Sequence, residues 1–112
     1  MTDYVLVFVT TGSLKEAEDI GYALVEERLA ASVNILPAVR SILRWEGEIQ
    51  REFESLLMVK TRRDVLTRLT ERVQELHSYD TPEVIALPIE DGSNSYLHWL
   101  ADQVPLPLAA AS

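Results

Sequence analysis

Leu56 to Ile89 constrains the fold more than any other stretch of the chain. It opens with an unbroken apolar run, Leu56-Leu57-Met58-Val59, followed by the polar knot Lys60-Thr61-Arg62-Arg63. Val65, Leu66, Leu69, Val73 and Leu76 then fall at helical spacing. The helix closes in His77-Ser78-Tyr79-Asp80-Thr81-Pro82-Glu83, because Pro82 drives Thr81 toward extended geometry. Val84 to Ile89 reads as a second buried strand. The order is strand, polar loop, helix, polar loop, strand, and the two polar loops hold most of the candidate chemistry.

The remaining chain supplies matching pieces. Tyr4 to Val9 is a β-branched and aromatic run, as expected of a strand buried on both faces. Ser13 with Glu16 three residues on has capping-box spacing, and a helix to about Leu29 follows. That helix turns Leu14, Ala17, Gly21, Leu24 and Val25 to one side. Ala31 to Trp45 is extended, with Pro37 marking an edge or a bulge. Trp45-Glu46-Gly47-Glu48 reads as a hairpin turn, and Ile49 to Thr61 returns. Tyr96, Leu97, Leu100 and Val104 sit at helical spacing. The tail from about 105 to 112 has no periodicity and is expected to be frayed or draped over a neighbour.

Assembled in order, these pieces make one domain over residues 1–112 of the α+β class. The pattern is the ferredoxin-like βαββαβ with an additional C-terminal helix and an antiparallel sheet. A conflict arises at its centre. Tyr4–Val9 and Leu56–Val59 are apolar at odd and even positions alike, yet one helical layer buries only one set. A large bare apolar face is disfavoured, so the second face requires a neighbouring subunit or a curled sheet, and closed oligomers are the usual solution.

Charge and composition exclude several function classes. The net charge of −8 repels nucleic acid, which requires a basic footprint. It suits solubility, cations or basic partners. No apolar run approaches the length of a membrane span, and no basic leader precedes Tyr4 to Val9, so a cytoplasmic protein without a membrane partner is expected. With no cysteine, disulfides and thiolate metal sites are excluded.

Several motifs together resemble the CutA family of divalent-ion tolerance proteins: Trp45-Glu46-Gly47-Glu48, Val59-Lys60-Thr61-Arg62 and Leu76-His77-Ser78-Tyr79-Asp80-Thr81-Pro82-Glu83. Ala30 to Ile35 and Tyr96 to Leu100 resemble it as well, so the match runs from about Val5 to Ala101. The resemblance implies a homotrimer, kinship with the trimeric PII signalling proteins, a cytoplasmic setting and a link to copper and other divalent cations. It does not imply an established reaction. Copper-binding members use a Cys at the end of the first strand and two adjacent His. Here Thr10 or Thr11 stands at the first position and Leu76-His77 at the second, so copper is expected to bind weakly. No cofactor is required.

Candidate residues follow. His77 is the one metal-ligand candidate, as a neutral imidazole; the plainer role is to end its helix. Lys60, Thr61 and Arg62 offer charge and a hydroxyl to a small anion, or Thr61 caps the helix that starts near Asp64. Tyr79 and Glu83 flank Pro82, and with Lys60 they outline a polar pocket at a subunit boundary. Such a pocket suits either a ligand-sensing module or a small enzyme, although no nucleophile with an adjacent base is legible and no catalytic residue is assigned. Trp45, Ile49 and Phe53, at spacings of four, are expected on one face of the hairpin, with Trp45 and Phe53 anchoring a neighbouring subunit.

Overall fold

The structure is a computed structural model and describes residues 2–106. Strand β1 (Tyr4–Thr11) leads to helix α1 (Leu14–Glu26), and β2 (Ser32–Trp45) and β3 (Glu48–Arg62) form a long hairpin. A single 3₁₀ turn (Arg63–Val65) precedes helix α2 (Leu66–Leu76), and strand β4 (Val84–Pro88) and helix α3 (Asn94–Gln103) complete the chain. The sheet order is β2-β3-β1-β4, with every neighbouring pair antiparallel. This is the ferredoxin-like α+β arrangement. From residue 107 on, the tail expected to be frayed lies outside the described residues.

Strand alternation divides the residues between two faces. Val5, Val7, Val9, Leu57 and Val59 turn to one face and are buried with Ala17, Ile20 and Leu24 of α1 and Leu69 and Val73 of α2. Each such side chain contributes about 1.5–3 kcal/mol on burial. On the other face, register places Phe8 beside Met58 and Ile85, and Thr10 beside Leu56. Among the described residues, that second face is covered at one end, where Leu100 and Val104 pack with Ala31, Val65 and Tyr4. Ile85, Leu87 and Leu36 remain exposed. Among the described residues, the two-faced apolar strands are therefore buried on one face and partly bare on the other.

Local differences from the sequence reading have local causes. Helix α1 stops at Glu26 because Arg28 adopts φ 63, and the Leu29 and Ala30 N–H groups both turn back to Leu24 O. Leu14 and Val25 stay exposed rather than joining the core. Ser13 caps α1 by accepting the Glu16 N–H at 3.2 Å, but the Glu16 carboxylate accepts from Ser78 N–H at 2.8 Å. The β2–β3 register shifts between Leu36 and Val39, around Pro37 on the edge strand, as a bulge requires. At the hairpin, Glu46 (φ 50) and Gly47 (φ 83) form the two-residue turn, with the positive φ at both central positions that matches strand twist.

Candidate functional site

The turn sets the faces of the hairpin. With two residues between the strands, Trp45 pairs with Glu48, Leu43 with Gln50 and Ser41 with Glu52, so odd positions on β2 share a face with even positions on β3. Trp45 therefore lies opposite Ile49 and Phe53, not beside them, which corrects the expectation of a single apolar hairpin face. Phe53 pairs with Arg40, whose guanidinium sits 4.3 Å from the ring centroid.

Beyond the Thr11–Ser55 pair, β1 ends while β3 continues into the hairpin. The α2–β4 loop folds into the notch this leaves. The result is an open cleft of about 850 Å³, with Ser41, Leu43, Trp45, Glu52 and Glu54 on the hairpin wall. Tyr79, Asp80, Thr81 and Glu83 form the loop wall. At its inner end the Tyr79 hydroxyl donates to Glu54 Oε2 at 3.2 Å. Partial burial, and then the Glu54 carboxylate, push the Tyr79 hydroxyl above its usual range. The same two causes, in the same order, raise the Glu83 carboxyl. Among the described residues, no Lys or Arg lines the cleft, so no lining base offsets this negative charge.

His77 holds the loop wall in place. Its side chain is fully buried. Nδ1 accepts the Tyr79 N–H at 3.0 Å, so the ring proton belongs on Nε2, which lies 2.7 Å from Thr10 O and donates to it. The ring also packs against Tyr79, with centroids 4.7 Å apart. Glu16 Oε2 lies 3.9 Å from Nδ1. Burial pushes the Glu16 carboxyl up, but hydrogen bonds from Ser78 outweigh it and leave the carboxyl below its ordinary value. Both ring nitrogens of His77 are thus engaged in bracing β1, α2 and the loop, and a metal at either would have to break a hydrogen bond. The helix end itself is closed by the His77 backbone N–H on Val73 O. Among the described residues, no group of three or more His, Cys, Asp or Glu converges to hold a metal ion. The cleft carboxylates are spread along its length.

The anion trio is not brought together. Thr61 is buried on the helix-covered face and donates to Leu29 O at 2.6 Å; it does not cap α2. Arg62 lies on the second face and donates from Nε to Val104 O and from Nη2 to Ala101 O at 3.3 Å. It closes the C-terminus of α3, where a cation also favours the helix dipole. Lys60 pairs with Leu6 and Ser32 near the middle of the second face and is not among the residues lining the cleft. Of the residues read from the sequence, Tyr79, Glu83 and Trp45 meet in one site, and Lys60, Thr61, Arg62 and Phe53 lie outside it. Glu54 and Glu52 escaped the sequence reading, because nothing local sets them apart from their polar neighbours Gln50 and Arg51 on the returning strand. Their one signal is that β3 must outrun β1 by the length of the hairpin.

Comparison with known proteins agrees with this fold. A family model described as CutA1 divalent ion tolerance protein matches residues 5–103. The chain is 50% identical over 97 residues to the divalent-cation tolerance protein CutA of Thermus thermophilus, covering 87% of this chain and 94% of that protein. It is 47% identical over 96 residues to the chloroplastic protein CutA of Arabidopsis thaliana, covering 86% of this chain. The chain spans about half the length of the Arabidopsis and Mus musculus relatives, 53% and 52%. Among solved structures, the divalent cation tolerance protein from Thermus thermophilus superposes with a TM-score of 0.89 at 47% identity, covering 91% of this chain and 99% of that one. CutA from Xylella fastidiosa gives 0.90 at 38% identity, covering 93% and 100%.

Proposed function

The chain belongs to the CutA1 divalent ion tolerance family, and from that premise we propose that it works as a homotrimeric binding module that takes a divalent cation weakly at the inner end of its cleft. The observation that carries this reading is charge. Glu52, Glu54, Asp80 and Glu83 line the cleft and no basic residue does. A cation arriving there relieves the repulsion that helps raise the Glu83 carboxyl. Oxygen donors suit hard divalent cations, and because the carboxylates do not converge, the cation keeps much of its water. Copper fares no better, since it meets oxygen ligands and an engaged imidazole where it prefers free nitrogen or sulfur. The half-covered second face of the sheet supports the trimer, whose neighbours would bury Phe8, Met58, Ile85 and Leu87. In this reading the protein is a cytoplasmic, PII-like responder to cations rather than an enzyme; the pocket with Lys60 that an enzyme would use is not assembled within one copy.

Thermal melting at matched ionic strength tests it. Chelator, sodium, magnesium, manganese and copper are compared for the wild-type chain and for Glu83→Gln. A divalent-specific rise is expected, about 1.4 kcal/mol at ten times Kd, and smaller in Glu83→Gln. A rise that sodium reproduces, or one that Glu83→Gln leaves intact, refutes a cation site in the cleft.

A further inference from the structure

The acids of the cleft form a row. Glu54 and Glu52 lie two residues apart on β3, so they share a face one strand repeat apart, about 7 Å. Both stand on the hairpin wall, while Asp80 and Glu83 belong to the loop wall. Among the described residues, no three acids or imidazoles converge as a metal ion requires. Two features of the lining go unused by a bare metal ion. Thr10, at the inner end, is nine-tenths buried, with 9% exposed. Its carbonyl is taken by His77 Nε2, but among the described residues its hydroxyl has no hydrogen-bond partner. No fully sealed side-chain polar atom among the described residues lacks a partner, so the open part of that hydroxyl faces the cleft that Thr10 lines. Further out, Leu43 and Trp45 put apolar surface on the hairpin wall, and Trp45 is 51% exposed.

We propose that the cleft takes a linear polyamine, an alkyl chain carrying two or more ammonium groups, laid along the hairpin wall. One ammonium sits at the inner end, the next at Glu52, and the rest of the chain runs over Leu43 toward Trp45. The proposal rests on the cleft being a cation site and adds which organic cation fits it. An ammonium group has three N–H donors and no acceptor. The Glu54 carboxylate, the Glu83 carboxylate and the Thr10 hydroxyl offer it three oxygens. Acids in a row suit charges in a row, and a linear polycation needs no point of convergence. The spacing agrees as well. A chain of about four or five methylenes, extended at roughly 1.3 Å of advance per bond, separates its two ammonium groups by about the strand repeat of 7 Å. Its methylenes cover apolar surface while the charged groups stay polar-faced, as a lysine stem does. A third ammonium, in a longer polyamine, meets the indole of Trp45, the aromatic ring that attracts a cation best.

Isothermal titration calorimetry at matched ionic strength tests this, with butylamine, ethylenediamine, diaminobutane, diaminopentane and spermidine as probes and magnesium and manganese in parallel. Diaminobutane and diaminopentane are expected to bind about fivefold or more tighter than butylamine, the value of one added exposed ion pair at its upper range, with ethylenediamine too short to share the gain and spermidine tighter still. Glu52→Gln should bring diaminobutane down to the level of butylamine. Thr10→Val, which keeps the shape and removes the hydroxyl, should weaken every amine. Circular dichroism checks that both variants are folded. If diaminobutane binds no better than butylamine, if Glu52→Gln keeps its advantage, or if Thr10→Val binds amines as wild type does, the polyamine site is overturned. The metal arm is separate. Divalent heat without a diamine advantage leaves the cation reading standing and this proposal refuted, whereas diamine binding without divalent heat supports this proposal and removes the divalent ion from the cleft.

Discussion

Replacing His77 with alanine separates a bracing role from a ligand role. The substitution deletes a fully buried ring and two hydrogen bonds, to Thr10 O at 2.7 Å and from Tyr79 N–H at 3.0 Å. Each buried group left without a partner costs about 1–3 kcal/mol, well above the net worth of the bond itself. The emptied ring volume adds a cavity term that the loop can partly collapse into. Together these give a loss of about 3–5 kcal/mol, a large share of the roughly 5–15 kcal/mol that holds a domain folded. Urea unfolding at fixed chain concentration in chelator-treated buffer measures it. With a slope of about 1–3 kcal/mol per molar, the midpoint should fall by roughly 2 M. The reasoning is refuted if the metal-free midpoint does not move while copper-dependent stabilisation disappears, because that is how a ligand behaves.

Three further outcomes are expected. Gly21 sits inside α1, and an added Cβ would meet the Val33 side chain at 3.4 Å, an ordinary contact, so Gly21→Ala should stabilise by about 0.5–1 kcal/mol in the same urea assay. Glu83 titrates higher folded than unfolded, so the folded chain binds more protons in the window between the ordinary value of 4.5 and the raised one. Stability should therefore fall as pH rises through that window, and Glu83→Gln should remove this slope in pH-dependent melts. Trp45→Ala should weaken the oligomer before the monomer fold, because Trp45 is half exposed in one chain and most of the roughly 3–5 kcal/mol for losing a buried Trp falls on the assembled state. Concentration-dependent melting checks this, and equal dissociation in wild type and mutant would refute it.

The sheet was legible because its evidence is local and repeated. Four strand-like runs, three helical periods and a Gly47 turn leave few ways to connect them, and the central place of β1, paired with β3 and β4, follows from the topology. The site was less legible because it depends on parity and on distance along the chain. Adjacent residues on a strand point to opposite faces, so Lys60-Thr61-Arg62, contiguous in sequence, cannot act as one cradle. Spacing by four placed Trp45 with Ile49 and Phe53 only by ignoring the two-residue turn between them. Glu54 meets Tyr79 from 25 residues away, a contact that no local pattern announces. His77 was read as a metal-ligand candidate or a helix end, and its partners, the Thr10 carbonyl and the Tyr79 amide, are backbone groups that side-chain chemistry does not reveal.

The cleft itself can be watched directly. Trp45 lines it, and with Trp99→Phe as background Trp45 is the sole indole of the chain. Titrating manganese or copper into that protein while following Trp45 fluorescence is expected to give saturable binding with Kd weaker than about 1 μM, roughly −8 kcal/mol. The signal should be lost in Glu83→Gln and retained in His77→Gln. Binding tighter than about 1 nM, or a signal that vanishes with His77 and survives without the Glu83 carboxylate, would contradict a weak cation site in the cleft.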